Sequence, residues 1–383
     1  MSIIYFDHAA TSYPKPQEVI EAVGQAVNLG NPGRGGHFLS KEASRVVTDA
    51  RYEFASFFGC ESAESVIFTK SATEAVNLVL KGYHWQKGDH IIASGFEHNA
   101  VYRTLHYLEK TIGISVTYLQ DSEALHKENI ISNITESTRL LICTHGSNVD
   151  GTLLPADIWG DISREYELKL LVDAAQSAGI HPIHMTNQNI DYLAVPGHKG
   201  LLGPQGIGIL LLNNKDTLLS PLIYGGTGTF SEEPEQPAEI PHRLESGTLN
   251  VSGIAGLHAG VKEVLHRGLK NIQNHEEEML YDFLQKIESM PEVSITQPAS
   301  FPARLPVVSL RVKGLDVHEI AVILDEHYNI AVRAGLHCAP LAHSRAGTNN
   351  IGTLRISFGY NNTKDEVNTL IRALREIIDG LLG

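Results

Sequence analysis

Between about residues 60 and 215 the chain alternates short apolar runs with amphipathic stretches of helical length, and this alternation constrains the fold more than any other feature. The apolar runs lack the period-two pattern of half-exposed strands, which predicts strands buried on both faces of a mostly parallel sheet. Such sheets bind ligands at the carboxyl ends of their strands. The predicted strands are 65–69, 90–94, 139–144, 170–173, 192–195 and 206–212, and the predicted helices between them are 73–81, 99–110 and 155–166.

The C-terminal third predicts a second, smaller α/β lobe, because a chain of 383 residues is long for one core. A helical stretch at about 253–290 leads into this lobe. We expect residues 1–15 to form an N-terminal arm that packs with the small domain, residues 16–255 to form the large domain, and residues 256–383 to form a linking helix and the small domain. The strands and helices predicted in the small lobe are 307–312, 317–326, 330–333, 353–357 and 364–382.

Composition argues against several kinds of partner. The net charge of -14 disfavours nucleic acid and anionic membranes, because both bind clusters of Lys and Arg. No apolar run approaches the roughly 20 residues of a membrane-spanning helix, and the N-terminus lacks the pattern of a signal peptide. The 3 cysteines lack Cys-x-x-Cys spacing and the 19 histidines lack ligand spacing. These features predict a reducing, cytoplasmic compartment and no metal site.

Two residues at strand ends predict a cofactor. Lys199 follows the strand 192–195 and precedes a glycine-rich turn, and Asp173 ends the strand 170–173. Taken alone, most lysines in such a place are solvated loop lysines, and an aspartate at a strand end is commonly a capping residue. A lysine that forms a Schiff base and an acid that keeps a pyridinium nitrogen protonated are together what pyridoxal 5′-phosphate (PLP) requires of a protein. Their combination therefore predicts PLP.

The segment 71–75 follows a strand and opens a helix, which predicts a binding site for the cofactor phosphate. Backbone amides at a helix N-terminus, here at Ala72 and Thr73, form an anion site together with the Thr73 hydroxyl. The same pattern suits an ordinary N-cap, and the two interpretations are compatible. His198 is placed to reach a phosphate oxygen, or else it caps a turn.

Four more residues are predicted to complete the pocket. His98, at a strand-to-helix turn, has a ring that can stack on the pyridine, although a lone histidine is usually a polar turn residue. We expect Gln176 to bond the cofactor's phenolic oxygen, and Asn148 to bond the cofactor or a substrate carboxylate unless it only shapes its turn. Arg355, on a strand, suits bidentate binding of an α-carboxylate. A buried structural ion pair is the alternative for that arginine.

Cys338 decides which reaction such a cofactor would serve. It lies in a glycine-containing loop with Arg333 and His337, and nearby cations lower a thiol's pKa below about 8.5 and so increase the thiolate at neutral pH. Cys60 and Cys143 lie in apolar surroundings typical of packing residues. Inert packing is the alternative for Cys338 too, but the rest of the predicted site favours a nucleophilic thiol.

Nearly the whole chain resembles PLP enzymes of the class V aminotransferase fold, in the cysteine desulfurase family, on the side that also contains selenocysteine lyases. The resemblance implies an α/β fold of the aspartate aminotransferase-like type (fold type I), with a large, mostly parallel sheet domain and a smaller C-terminal α/β domain. The matching motifs lie at 5–12, 33–37, 72–77, 97–99, 172–177, 197–199, 245–250, 333–340 and 354–357.

The resemblance also implies a reaction. Lys199 would hold PLP covalently and move protons on the substrate, and the Cys338 thiolate would attack the sulfur of L-cysteine, leaving L-alanine and a persulfide on Cys338. The implied catalytic residues are Lys199, Cys338 and His98. The implied cofactor-binding residues are Ala72, Thr73, His98, Asn148, Asp173, Gln176, His198, Lys199 and Thr248, the last from the second subunit of a homodimer. The implied substrate-binding residues are Ala10, His37, Asn148, Arg333 and Arg355.

Two features qualify this reading, and other functions stay open. The family often has Ser or Thr three residues before the lysine, where this chain has Pro196, so phosphate binding must depend on other donors. The compact cysteine loop is similar to that of members that need a sulfur-acceptor protein.

The alternatives are a selenocysteine lyase, a cysteine or cystine C–S lyase, a class V aminotransferase that does not use Cys338, and a non-catalytic sulfur carrier or scaffold. Alanine with persulfide distinguishes a desulfurase from a β-lyase, which makes pyruvate and ammonia.

Overall fold

Thirteen strands are found in the computed structural model, which describes residues 3–33, 35–213, 219–228, 232–296 and 304–382. The strands are β1 (Ile4–Tyr5), β2 (Val66–Thr69), β3 (His90–Ala93), β4 (Ser115–Tyr118), β5 (Thr138–Thr144), β6 (Lys169–Asp173), β7 (Tyr192–Pro196), β8 (Gly208–Leu212), β9 (Val293–Thr296), β10 (Val307–Val312), β11 (Ile330–Ala331), β12 (Arg333–Gly335) and β13 (Thr353–Ser357).

Helices cover the sheets formed by these strands. They are α1 (Gln17–Ala26), α2 (Phe38–Phe58), α3 (Ala72–Gly82), α4 (Asn99–Thr111), α5 (Lys127–Ser132), α6 (Ala156–Glu165), α7 (Val251–Arg267), α8 (Leu269–Ile287), α9 (Val317–Tyr328), α10 (Pro340–Arg345) and α11 (Lys364–Leu382). None of the helices in the described part of the chain is long and apolar enough to cross a membrane.

The large domain is built on a seven-stranded sheet in the order β2-β8-β7-β6-β5-β3-β4. Only β8 runs in the direction opposite to the other six strands. All residues of β2, β3, β7 and β8 are buried. Strands covered on both faces have no exposed face to fill with polar residues, which explains their unbroken apolar runs. The predicted fold class is therefore confirmed. The edge strand β4 was not predicted, because it is half-exposed and its sequence Ser-Val-Thr-Tyr is short and mixed.

The small domain has a four-stranded antiparallel sheet in the order β12-β13-β10-β9. Its apolar core joins this sheet to α8, α9 and α11 through residues such as Leu310, Phe283, Leu324 and Leu374. The core is separate from the two large clusters around the seven-stranded sheet. Two domains with separate cores agree with the length of the chain.

An N-terminal arm joins the two domains. Strand β1 pairs in parallel with β11, and Phe6 is buried in the small-domain core. Farther along, the backbone N–H of Ser12 and the Nζ of Lys15 both donate to the carbonyl of His198, at 3.0 and 2.8 Å. The arm therefore runs from a two-stranded sheet with β11, beside the small-domain core, to the loop that carries Lys199.

The predicted helical stretch 253–290 is two helices that meet at Gly268. This glycine has φ +81°, a conformation that side-chain-bearing residues rarely adopt, so the helix breaks there. Leu257 and Val261 of α7 belong to the large-domain core, whereas Phe283 of α8 belongs to the small-domain core. Residues 255 and 256, between which we expect the domain boundary, both lie inside α7, and the boundary stays a prediction.

Gly160 is the point at which α6 contacts the loop before β7. A Cβ added there would lie 1.7 Å from the carbonyl oxygen of Gln188, a backbone atom that cannot move aside cheaply. We expect Gly160→Ala to lower the free energy of unfolding by about 1–3 kcal/mol, as overpacking does elsewhere. Thermal unfolding followed by circular dichroism measures the change.

The matched control is Gly24→Ala in α1, where an added Cβ meets nothing within 4 Å. Since alanine favours helix over glycine, this variant is expected to gain up to about 1 kcal/mol. An unfolding midpoint of Gly160→Ala equal to that of Gly24→Ala would contradict the close contact.

Candidate active site

The carboxyl ends of five strands meet at one edge of the large sheet. Strand β2 is antiparallel to β8, and β8 is antiparallel to β7, so β2 points the same way as β3, β5, β6 and β7. Residues that follow these ends line one cleft, which the small domain completes from β12 and β13. The cleft contains twelve of the predicted site residues: Ala10, Ala72, Thr73, His98, Asn148, Asp173, Gln176, His198, Lys199, Arg333, Cys338 and Arg355.

Lys199 follows β7 and projects into this cleft. Burial lowers the pKa of its ammonium group to about 8, and Arg355 adds to the lowering, while Asp173 opposes it. At pH 7 about a tenth of such a lysine is the free amine, far more than for a lysine of ordinary pKa. Because the free amine attacks carbonyl groups, Lys199 suits covalent bonding to an aldehyde.

Asp173 ends β6 and is 4% exposed. Its Oδ1 accepts a hydrogen bond from the backbone N–H of Ala175 at 2.9 Å, yet burial raises the pKa of the carboxyl above its usual value. A buried carboxylate with a raised pKa is stabilised by a partner that carries positive charge or donates a proton. Gln176, also buried, donates from Nε2 to the carbonyl of Ala9 at 3.0 Å and so ties the arm to the cleft.

Two histidines of the cleft are uncharged at neutral pH. Burial lowers the pKa of His98 to about 4, with a further effect of Lys199, and its Nδ1 accepts from the N–H of Ala100 at 3.0 Å as the N-cap of α4. Burial likewise lowers the pKa of His198 to about 4. The buried Nδ1 of His198 has no hydrogen-bond partner among the described residues. It is available to an oxygen of a bound molecule.

The start of α3 leaves backbone amides at the cleft. Ser71 is the N-cap, and its side chain accepts from the N–H of Glu74 at 3.2 Å. The amides of Ala72 and Thr73 lie in the same first turn, where N–H groups have no intrahelical partner. Pro196, at the end of β7, also lines the cleft but brings neither a hydroxyl nor an N–H. An anion here must therefore bind the helix amides, Thr73 and His198.

Arg355 and Arg333 lie directly opposite each other on β13 and β12. Arg355 is 1% exposed, its Nη2 donates to Oδ1 of Asp7 at 2.7 Å, and its Nη1 donates to the carbonyl of Asn148 at 3.1 Å. Its Nε has no partner among the described residues. Arg355 thus forms a buried ion pair with Asp7, and its Nε is still available to donate a hydrogen bond to an anion. Two guanidinium groups beside one carboxylate favour an anionic ligand.

Cys338 is exposed and lines the cleft on a tight turn, in which His337 has φ +49° and Cys338 has φ +60°. His337 is 3% exposed, and burial together with Arg355 lowers its pKa to about 2. The prediction that His337 is a cation beside the thiol is therefore wrong, because burial cannot be seen in the local sequence. Arg333 remains as the cation in the same cleft.

The other two thiols fit packing roles, as predicted. Cys143 is fully buried within β5, and Cys60 is half-buried with its Sγ 3.3 Å from the carbonyl oxygen of Leu212. Burial raises the pKa of both thiols. Neither residue lines the cleft that contains Cys338.

Two predicted site residues lie outside this cleft. His37 is exposed and is the N-cap of α2, with its Nδ1 accepting from the N–H of Ser40 at 3.3 Å. Thr248 lines a separate groove, together with Thr69 and Glu74. The role of His37 and the donation of Thr248 across a dimer interface stay predictions.

Two acidic residues of the site were quoted in motifs but given no role. Asp7 neutralises part of the charge of Arg355, as described above. Glu97 is fully buried beneath the turn that carries His98, and its carboxylate accepts from the hydroxyls of Ser94 and Thr144, each at 2.6 Å. Burial raises its pKa to about 7. Each acid comes just after an apolar strand, and that position is the signal that could have identified it.

The groups in the cleft fit PLP. Lys199 offers an amine of lowered pKa to an aldehyde, and the buried Asp173 suits a protonated ring nitrogen. The first turn of α3 and the unpaired Nδ1 of His198 suit a phosphate. His98 is an uncharged ring at the same cleft, available for stacking. The residues of this cleft therefore offer a group for the aldehyde, the ring and the phosphate of this cofactor.

Comparison with known proteins gives the same indication over the whole chain. The family model for class V aminotransferases matches residues 4–370. A protein of Methanothermobacter thermautotrophicus, named a probable cysteine desulfurase, is 33% identical, with 98% of this chain and 94% of the relative covered. A cysteine desulfurase of Escherichia coli is 34% identical, with 98% of this chain and 94% of the relative covered.

Solved structures of cysteine desulfurases superpose on nearly the whole chain. The apo structure of a cysteine desulfurase from Thermococcus onnurineus superposes with a TM-score of 0.91 at 32% sequence identity, over 99% of this chain and 95% of that chain. A cysteine desulfurase of Escherichia coli, crystallised as an S-sulfonic acid, has a TM-score of 0.88 at 26% identity, over 99% of this chain and 95% of that chain.

Proposed function

Because this chain belongs to the class V aminotransferase family of PLP-dependent enzymes, with cysteine desulfurases as full-length relatives, we propose that it converts L-cysteine into L-alanine and forms a persulfide on Cys338. The observation that carries the proposal is the presence of an exposed thiol in the cleft that also contains Lys199 and Asp173. An aminotransferase needs the lysine and the aspartate but has no use for the thiol.

Bound PLP supplies an electron-withdrawing ring for an amino acid attached through its amino group. Asp173 would stabilise the protonated ring nitrogen, and His98 would cover the ring. Arg355, with Asn148 and Arg333 beside it, binds the carboxylate of L-cysteine and so orients its side chain. The Lys199 amine would take a proton from the Cα of the substrate and later return protons to it.

Cys338 performs the sulfur transfer. Its thiolate attacks the sulfur of the oriented cysteine, so that a sulfur–sulfur bond forms as the carbon–sulfur bond breaks. The electron pair of the broken bond stays with the substrate carbon, which takes up a proton and becomes the methyl group of alanine. The balance is L-cysteine plus one protein thiol giving L-alanine plus one protein persulfide, and no external oxidant is consumed.

We also propose an oligomeric state, a sulfur acceptor and a cellular location for this enzyme. Thr248 lies in a groove apart from its own cleft, which supports a homodimer in which it serves the partner's phosphate site. The outer sulfur of a persulfide on the exposed Cys338 must pass to another molecule, and we propose that this acceptor is a protein. The sparse, unpaired thiols support a cytoplasmic location. L-selenocysteine is the alternative substrate.

Product analysis tests the proposal. The purified, PLP-loaded protein is mixed with L-cysteine, and alanine and pyruvate are quantified while mass spectrometry follows Cys338. We expect one alanine per subunit in the first turnover and a mass increase of one sulfur on the Cys338 peptide. Pyruvate and ammonia without persulfide would instead identify a β-lyase. Parallel reactions with L-selenocysteine compare the two substrates.

The lowered pKa of Lys199 predicts how cofactor uptake depends on pH. Only the free amine reacts with the aldehyde of PLP, so the uptake rate should rise about tenfold per pH unit below pH 8 and level off above it. The pKa is lowered, so the plateau begins at a lower pH than for an ordinary lysine. Stopped-flow absorbance of apoprotein mixed with PLP, between about pH 6 and 10, measures the rate. A rate that keeps rising through pH 10 would contradict the environment described for Lys199.

A further inference from the structure

We propose that three consecutive residues of the large domain, Asn148, Val149 and Asp150, form a cradle that positions the cysteine segment (residues 336–346) and so fixes the Cys338 thiol at the cleft. The inference rests on the proposed role of Cys338 as the sulfur acceptor. It adds Val149 and Asp150 as positioning residues, which act on the reaction only through the place of the thiol, and it gives Asn148 a second role besides its place beside the substrate carboxylate.

The first contact joins the cradle to the backbone of the turn. Nδ2 of Asn148 donates to the carbonyl of His337 at 2.5 Å. The backbone N–H of Asn99 donates to the next carbonyl, that of Cys338, at 2.8 Å. Two successive carbonyls of the cysteine segment are therefore bonded to the large domain.

The second contact is apolar. Val149 forms a small buried cluster with Ala339 and Ala342, which lie just after the cysteine and within α10. The carbonyl of Val149 accepts from the hydroxyl of Ser309 on β10, at 2.5 Å, so the cradle is itself attached to the small-domain sheet. Alanine side chains at both positions allow the helix to approach closely.

The third contact is a buried ion pair between Asp150 and Arg345, the last residue of α10. The side chain of Asp150 is fully buried and that of Arg345 is 8% exposed. The guanidinium carbon of Arg345 also lies 4.1 Å from the centre of the Phe96 ring, and Oδ1 of Asp150 accepts from the N–H of Thr152 at 3.0 Å. A buried pair with these extra contacts has one geometry, and removal of one partner leaves a buried charge uncompensated.

The turn needs such support because it is strained and its tip is exposed. His337 and Cys338 both have positive φ, and Leu336 and Cys338 are exposed, whereas the His337 ring is buried with its Nε2 2.9 Å from Oγ1 of Thr353. Strained backbone persists only where its surroundings hold it. A nucleophile misplaced by about 1 Å can react about a hundredfold more slowly, so the cradle controls the rate of sulfur transfer.

The variant Arg345→Met tests the cradle, with Arg375→Met as the matched control on the exposed face of α11, where Arg375 bonds Ser289 at 2.9 Å. In the PLP-loaded protein, mass spectrometry measures single-turnover persulfide formation on Cys338, and absorbance measures binding of L-cysteine to the cofactor. We expect Arg345→Met to slow persulfide formation at least about tenfold while the absorbance change and its cysteine dependence stay at the parental level. Arg345→Lys, which keeps the charge, should restore part of the rate.

A purely structural role would lower the unfolding midpoint without changing the rate of persulfide formation per folded, PLP-loaded subunit, and that result would overturn the proposal. Should Arg345→Met not fold, Asp150→Asn carries the same expectation and the same contrary outcome. The underlying function is tested separately. If Cys338→Ala still releases sulfur at the parental rate, the proposed function fails, whereas parental rates in the folded cradle variants alone defeat only the cradle.

Discussion

The variant Lys199→Ala is expected to lower the rate of alanine formation from L-cysteine by at least about a thousandfold. The substitution removes both the amine that bonds the cofactor and the base that moves protons on the substrate. The groups that hold the ring and phosphate remain, so PLP should still bind, but without the visible absorbance of its covalent form. Alanine production and the absorbance spectrum of the reconstituted protein provide the measurements.

Lys127→Ala serves as the control for that variant, because Lys127 is an exposed lysine that pairs with Glu165 at 2.8 Å and does not line the cleft. We expect it to match the parent in spectrum and rate. If borohydride reduction of the loaded parent attaches the cofactor to a peptide other than the one with Lys199, the assignment is wrong. The same conclusion follows if Lys199→Ala keeps the parental rate.

The variant Cys338→Ala is expected to release sulfur at least about a hundredfold more slowly than the parent. Alanine has no nucleophile to attack the sulfur of the substrate, whereas Lys199, Asp173 and Arg355 are unaffected. The hydrogen bond from the N–H of Asn99 uses the backbone carbonyl of residue 338, so the turn keeps this contact. L-cysteine should therefore still change the absorbance of the bound cofactor. Sulfide release in the presence of a thiol reductant measures the loss.

Cys60→Ala is the matched control, since Cys60 is half-buried, packs against Leu212 and lies outside the cleft. It should retain the parental rate of sulfide release. Parental sulfide release by Cys338→Ala would exclude a Cys338 persulfide and favour a β-lyase or a different acceptor thiol.

Much of the site could be predicted because its residues follow buried strands. The apolar runs before Thr73, His98, Asn148, Asp173 and Lys199 indicate strands of one sheet, and parallel strands bring their carboxyl ends to one edge. Local patterns were sufficient at those positions. Gly268 is also visible in the sequence, but the prediction of one helical stretch at 253–290 did not allow for a glycine that ends a helix.

Contacts between distant parts of the chain could not be predicted in the same way. Asp7 and Arg355 are 348 positions apart, and Asp150 and Arg345 are 195 apart. No local periodicity relates such residues, because the domains must dock before they meet. The charge of His337 was mispredicted for a related reason, since its pKa is lowered by burial and by Arg355, and Arg355 lies on a strand that follows later in the chain.

The N-terminal arm also has a consequence for the order of assembly. Ile4 precedes its partner in β11, Ile330, by 326 positions, so this pairing must wait until the intervening chain has been made. Ser12 and Lys15 on the same arm then secure the carbonyl of His198, next to the cofactor lysine. The residues up to Arg355 must therefore be made before vitamin B6 meets a finished pocket, and a shorter nascent chain has none to offer.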